Sequence, residues 1–277
     1  RHSVNEEYTL EQRMWLLREG IQKHGSMLVA FSGGADSALL LAAAARALGT
    51  ANVVAATAVS PSLPERQLRE AEQFAADLGV NHVRPGTQEM TRLGYVANGR
   101  DRCFHCKSEL LSVLSPLAHE LGVAIVATGT NLDDVQDPDR PGVLAARAAG
   151  AATPLADAWL TKQDVRAASR MWGLSTADKP ASPCLSSRVA YGVQISAAVL
   201  SRIEVAEQAL LQAMTSAGLA VRDLRIRDLG GVARVEIDSH LVSELLARPD
   251  LLSVVNGFQS VEVDLRGFRS GSLNERS

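Results

Sequence analysis

Apolar residues recur at helical spacing over residues 9–24 (Leu10, Met14, Leu17, Ile21), and Gly25 stands where such a helix should stop. The next apolar stretch, 27–31, is continuous and short, as in a strand buried on both faces, and 36–48 then returns to helical character before Gly49. The alternation repeats. Residues 52–59 predict a strand, 64–78 a helix with Pro64 in its first turn, 80–83 a strand, 104–121 a helix, 123–128 a strand and 161–172 a helix. Short apolar strands alternating with amphipathic helices predict an α/β fold, a doubly wound parallel sheet covered on both faces.

The pattern changes after residue 179. Residues 179–192 are rich in Pro, Ser and Gly and read as a loop. A long helix is expected at 197–217, strands at 221–226 and 232–237, a helix at 239–247 and a last strand at 260–265. Gly230-Gly231 between two alternating runs is a hairpin signal. The expected organisation is therefore a domain over 1–193 and a small α+β domain over 194–277, with 269–277 as a loose tail. A length of 277 residues suits two domains, and no internal repeat is visible.

Composition narrows the classes of function. The chain is 46% hydrophobic and 21% charged, as in ordinary globular proteins. A net charge of −3 argues against a broad surface for nucleic acid or other polyanions. No apolar run approaches the roughly 20 residues that span a bilayer, and the polar start (Arg1, His2, Glu6, Glu7) has no signal-peptide core. A cytoplasmic address is the expectation. Three cysteines, Cys103, Cys106 and Cys184, are too few and too odd in number for a disulfide framework, and point instead to metal or redox chemistry.

Ser32-Gly-Gly-Ala-Asp-Ser37 directly follows the first predicted strand. Two glycines let the backbone turn sharply and approach a ligand, while the following helix start offers N–H groups to an anion. The loop has neither G-x-x-x-x-G-K-[ST] nor G-x-G-x-x-G, so it is neither the usual cradle of ATP hydrolases nor a dinucleotide site. Phe31 through Ser37 resembles the pyrophosphate loop of the N-type ATP pyrophosphatases, which split ATP into AMP and pyrophosphate. That resemblance implies contacts to ATP from Ser32, Gly33, Gly34 and Ser37, with Asp36 holding Mg²⁺. Gly129-Thr-Asn-Leu-Asp-Asp134 follows another strand, and the resemblance assigns Gly129, Asn131 and Asp134 to the nucleotide and metal side. Asp133 and Asp134 are also ordinary turn residues.

The remaining motifs concern the group that attacks the adenylate. Cys184 lies in Pro183-Cys-Leu-Ser-Ser-Arg188, a polar loop between Lys179 and Arg188, two cations expected to lower its pKa. Cys103 and Cys106 form a C-x-x-C at a helix start, a spacing shared by zinc sites, redox pairs and clusters; His105 is the fourth-ligand candidate for zinc, and a Cys103–Cys106 disulfide is the plain competitor. Arg225 and Arg227 alternate on a strand and so share a face, suited either to solvent or to a phosphate or carboxylate.

Taken together, the Ser32–Ser37 loop, Arg102–Lys107, Gly129–Asp134, Cys184–Arg188 and Leu224–Asp228 resemble the LarE sulfurtransferases over nearly the whole chain. The resemblance implies adenylation of a carboxylate of pyridinium-3,5-biscarboxylic acid mononucleotide and its conversion to a thiocarboxylate, in nickel-pincer cofactor biosynthesis for lactate racemase. It implies catalytic roles for Cys184, Asp36 and Arg188, and substrate contacts from Arg225, Arg227 and Lys107. Family members with one cysteine sacrifice it; members with three hold a 4Fe–4S cluster, which here assigns Cys103, Cys106 and Cys184 as ligands beside ATP and Mg²⁺. An external sulfur source and a homo-oligomer complete the expectation. The alternatives are a transfer-RNA-thiolating enzyme of the same superfamily, a sacrificial Cys184 acting on the same substrate, and a protein that binds ATP without chemistry.

Overall fold

The computed structural model describes residues 8–137, 141–181 and 183–274; the polar chain start at 1–7, Ser182 and the last three residues of the expected tail lie outside them. The chain falls into two compact units, Arg1–Glu89 with Cys103–Ser182, and Met90–Arg102 with Pro183–Ser277. The second unit thus begins before the 193/194 boundary read from the sequence and takes in a segment from the middle of the first.

In the first unit, strands β1 (Met27–Ala30), β2 (Val53–Ala56), β3 (Asn81–Val83) and β4 (Ile125–Thr128) form one sheet in the order β3-β2-β1-β4, every pairing parallel. Side chains alternate between its faces, as the pleat requires. Met27, Val29, Val53, Ala55 and Ala127 pack with α1 (Leu10–Gln22), α2 (Ala35–Leu48), α3 (Glu65–Leu78) and α5 (Lys162–Met171). Leu28, Ala30, Val54, Ala56 and Val126 face Leu111, Leu114 and Ala118 of α4 (Arg102–Glu120).

The sequence of α2 explains its central place. Ala38 to Ala44 are all buried, so the helix is apolar around its whole circumference and packs between α1 and α5 as well as on the sheet. Its small alanines permit close approach, while Leu39, Leu40 and Leu41 fill the volume; truncating any one to Ala should cost about 2–5 kcal/mol. Capping boxes at Thr9 and Thr161 start α1 and α5. Because β2 and β4 flank β1 on opposite sides, the strand order reverses at β1. Open α/β sheets bind ligands at such a point, beyond the carboxyl ends of the strands.

In the second unit, β5 (Leu224–Asp228) and β6 (Val232–Ile237) pair antiparallel, and β7 (Ser260–Val263) adds parallel to β6. Gly230 and Gly231 turn the hairpin at φ 90° and 105°, a conformation closed to most side chains, and both their N–H groups donate to Asp228 Oδ1. Helix α6 (Ala197–Ser216) covers this sheet, burying Ala206, Leu210 and Met214 against Ile226, Val235 and Ile237. The tail is not loose where it is described: Ser272 donates a 2.6 Å hydrogen bond to Glu236, a buried carboxylate that holds it to β6. Among the described residues no helix is long and apolar enough to cross a membrane.

Candidate active site

The Ser32–Ser37 loop leaves β1 and enters α2. Gly33 takes φ 74°, and a Cβ there would lie 3.3 Å from the Cβ of Ala71 on α3, so both conformation and space call for glycine. Ser32 N–H donates to Ser37 Oγ at 3.3 Å, and Ser37 Oγ donates back to the Gly34 carbonyl at 3.2 Å. The serines therefore brace the loop as well as lining it. Gly34 is the N-cap of α2 and has no side chain to satisfy the first N–H groups, an arrangement suited to an anion. The Phe31 carbonyl accepts from Thr57 Oγ1 at 2.7 Å, so that hydroxyl in turn accepts from His82 Nε2 at 2.8 Å. Burial first, then Arg84, hold His82 below its ordinary value and favour the neutral ring.

The second loop, after β4, lies against the first. A Cβ on Gly129 would sit 2.8 Å from Ser37 N and 2.9 Å from Ser37 Cα, so only glycine lets the two backbones approach this closely. Asn131 caps the short helix Leu132–Gln136 through its side-chain oxygen, exchanging hydrogen bonds with Asp134, and its amide reaches Asp36 at 3.0 Å. Burial raises the Asp36 pKa most; the Asn131 bond lowers it, Asp134 raises it, and Lys162 and Arg166 lower it, for a net rise. Two acids that disfavour each other's charge form an arrangement that a divalent cation relieves, and Mg²⁺ is commonly held by one or two carboxylates and substrate phosphates. The paired acids divide their work. Asp133 accepts from Lys162 N–H at 2.7 Å at the start of α5, a structural cap, whereas Asp134 is buried beside Asp36 and pairs with Lys162 Nζ at 3.3 Å.

One cation differs from its expected place. Lys179, expected beside Cys184, is engaged by the Ser32–Ser37 loop: its ammonium donates to the Gly33 carbonyl at 2.9 Å and pairs with Glu70 of α3 at 2.8 Å. Lys107 is one turn into α4. Burial pushes its ammonium down, partly offset by Cys106 and Asp134, which places it electrostatically on the Asp134 side of the first unit. Cys103 and Cys106 open α4, and His105 packs edge-on against Phe104 at 5.9 Å.

The second unit builds the Cys184 loop. Cys184 is half-buried, and its carbonyl accepts from Ser187 N, Ser187 Oγ and Arg188 Nη1 at 3.0, 2.7 and 3.0 Å, folding 185–188 into a single 3-10 turn. Segment 90–102 grips this turn: Tyr95 OH meets Ser186 Oγ, and Arg102 donates to the Ser186 carbonyl at 2.9 Å. Asn98, buried at φ 54°, donates to the carbonyls of Val189, Ala190 and Val193.

Three guanidiniums surround the turn. Arg188 makes a two-point pair with Glu207 (3.1 and 3.4 Å), and Arg227 binds Glu236 through Nε and Nη2 (3.0 and 2.8 Å) while donating to the Ser187 carbonyl at 3.2 Å. Arg225 stacks over Phe268 with its carbon 5.4 Å from the ring centre. Its pKa is lowered by burial, then by Arg188, with Arg227 also contributing. It stays charged, and an anion beside it would relieve the crowding. No disulfide joins any of the three cysteines. Three thiols are the right donors in kind for three irons of a cube. Yet neither unit by itself supplies three, and among the described residues no three His, Cys, Asp or Glu side chains form a group that could hold a metal.

No family model matches the chain. It is 39% identical over 270 residues to an uncharacterized protein of Synechocystis sp., covering 96% of this chain and 98% of that one. It is 33% identical over 251 residues to the pyridinium-3,5-bisthiocarboxylic acid mononucleotide synthase of Lactiplantibacillus plantarum, covering 89% and 88%. An uncharacterized protein of Methanocaldococcus jannaschii is 26% identical over 250 residues, covering 90% and 92%.

Proposed function

This chain belongs to the LarE family, and from that premise we propose that it is an ATP-dependent sulfurtransferase acting on pyridinium-3,5-biscarboxylic acid mononucleotide. One observation carries the ATP half of the reading. The uncapped start of α2, the Gly33–Gly34 turn and the Asp36–Asn131–Asp134 cluster all stand beyond the carboxyl ends of β1 and β4, where the strand order reverses. An oxygen of the substrate carboxylate attacks the α-phosphorus of ATP; the bond to the β-phosphate oxygen breaks, giving an acyl-adenylate and pyrophosphate. Asp36 and Asp134 are the residues that would hold Mg²⁺, which neutralises the departing pyrophosphate. Sulfur then adds to the activated carbonyl and AMP leaves.

Arg225 is the residue we assign to the anionic part of the pyridinium nucleotide, supported by its crowding against Arg188 and Arg227. Lys107 joins it as a substrate contact of the first unit. Cys103, Cys106 and Cys184 are the proposed ligands of a 4Fe–4S cluster, which when bound supplies an exchangeable sulfide. The same reading carries a cytoplasmic address, a homo-oligomer and an external sulfur source.

A second reading keeps the substrate and makes Cys184 the sacrificial donor. Its Sγ displaces AMP to give a thioester; loss of the Cys184 α-proton then breaks the Cβ–Sγ bond, leaving dehydroalanine and the thiocarboxylate. Cys184 is the one cysteine of the second unit, which suits a route that needs a single thiol. Pyrophosphate release measured with ATP, with and without the pyridinium nucleotide, tests both. Release only with the nucleotide is expected, and release equal in its absence would overturn the substrate assignment.

A further inference from the structure

The loop that receives ATP carries a clamp that neither the sequence motif nor the adenylation step explains. Lys179 reaches it from a distant part of the chain, with its side chain only 17% exposed, and its ammonium sits between the Gly33 carbonyl (2.9 Å) and the Glu70 carboxylate (2.8 Å). Its own backbone is fixed in turn: Arg166 of α5 donates to the carbonyls of Ala177 at 2.7 Å and Lys179 at 3.0 Å. Glu70 is the neighbour of Ala71, the residue against which Gly33 is packed. Helix α3 therefore supports the turn by contact and by charge. Burial would raise the Glu70 pKa, but hydrogen bonds from Lys179 and Arg66 outweigh it and keep the carboxylate ionised.

A peptide unit is planar, so the carbonyl of Gly33 and the N–H of Gly34 point in opposite directions. Fixing the carbonyl fixes the N–H, which in this structure also makes a long 3.4 Å hydrogen bond to Ser32 Oγ, a weak internal partner that a ligand oxygen can replace. Between two glycines the peptide can rotate at little cost, because neither residue has a Cβ to forbid the alternative. The rotated form would turn a carbonyl oxygen, with its partial negative charge, toward the phosphates. We propose that Lys179 is a positioning residue for the nucleotide, holding the Gly33 peptide so that the loop presents N–H groups to ATP, with Glu70 keeping the ammonium in place. The proposal rests on the reading that this loop takes ATP. It differs from a direct phosphate contact, since an ammonium paired with Glu70 contributes direction more than net charge.

Calorimetric titration of ATP and of adenosine into the parent chain, Lys179→Met, Glu70→Gln and Lys179→Arg separates these roles, with pyrophosphate release followed in parallel. Both Lys179→Met and Glu70→Gln should weaken ATP about ten-fold, the size of one lost oriented hydrogen bond to a charged group, and leave adenosine affinity unchanged. Lys179→Arg should recover part of the loss. Tighter ATP binding by Glu70→Gln would overturn the proposal, because it would mean that a released ammonium binds the phosphates directly. Unchanged ATP affinity in Lys179→Met, or an equal loss for adenosine, would also overturn it. A parent chain that binds ATP without nucleotide-dependent pyrophosphate release sinks the adenylation reading and leaves the affinity comparison to decide the role of Lys179; a parent chain that binds no ATP sinks both.

Discussion

The side-chain amide of Asn131 donates a 3.0 Å hydrogen bond to the carboxylate of Asp36, tying together two loops that leave neighbouring parallel strands. The bond makes Asp36 a fixed point rather than a mobile surface acid. Asp36→Asn preserves the size of the side chain and its ability to accept from Asn131, so the fold should survive. Pyrophosphate release should fall by roughly 100-fold or more, the usual scale for losing one preorganised charge-stabilising group. Unaltered AMP formation by the variant would rule out the metal role.

Gly129→Ala tests the close approach of the two loops. The added methyl meets main-chain atoms of Ser37, which cannot move aside without shifting the first turn of α2. A cost of about 1–3 kcal/mol is expected from the overpacking, together with a raised KM for ATP. A variant with the parent's melting temperature and KM would show that the loops have slack.

Arg13 and Asp164 give a pH signature. Burial alone would raise the Asp164 pKa, but the Thr161 N–H and hydroxyl and the Arg13 guanidinium at 2.6 Å outweigh it, so the folded value lies below the usual carboxylate range. The unfolded chain then holds the proton more tightly. The stabilisation is fully present above the unfolded value near 3.9 and is lost as pH falls through the lower folded value. Asp164→Asn should cost about 2 kcal/mol at pH 7. The gap to the parent should narrow progressively as pH falls below about 4. A gap independent of pH would refute the assignment.

Arg225 and Arg227 should fail in different ways. Arg227→Ala strands Glu236, which is 1% exposed, and should destabilise the second unit by about 3–5 kcal/mol. For Arg225→Ala the expected loss is substrate affinity, read as a higher KM for the pyridinium nucleotide with ATP binding little changed. Equal melting temperatures for the two variants would contradict this division.

The route of sulfur is settled by intact mass after turnover. The cluster route predicts an unchanged polypeptide, an oxygen-sensitive iron centre, and loss of multiple turnover in Cys103→Ala. Removing the iron with a chelator should then stop sulfur transfer while leaving ATP affinity intact. The sacrificial route predicts loss of one H₂S per chain with dehydroalanine at position 184. Observing dehydroalanine would refute the cluster as the sulfur source.

Much of the first unit was legible because its strands and long helices have clear periods: the apolar run 27–31, the apolar stretch 38–45 of α2 and the Gly-rich loop between them announce one another. The short helices Leu93–Val96, Leu132–Gln136 and Pro154–Asp157 were not, since one turn is too short for a period to register. The placement of Lys179 was invisible for a different reason. In the sequence it stands near Cys184, while its partners Gly33 and Glu70 are reached only through the tertiary fold. Arg225 and Arg227 share a strand face as their alternation implies, yet nothing in a sequence shows that Glu236, on the paired strand, claims one of them. The grip of Tyr95, Asn98 and Arg102 on the Cys184 turn was equally hidden, because polar residues in a short segment read as an ordinary loop.

That grip also sets an order of events during synthesis. Residues 90–102 leave the ribosome well before the carbonyls at 186–193 that satisfy Asn98 and Arg102 exist, a delay on the order of ten seconds at usual elongation rates. The strands of the first unit are complete by Thr128, and α5 by Met171, so that unit can consolidate on the nascent chain while the segment waits. The second unit closes last, once its own hairpin has emerged. A fragment beginning at residue 194 never acquires the segment at all, and should be recovered as a chain that folds its three-stranded sheet poorly or not at all.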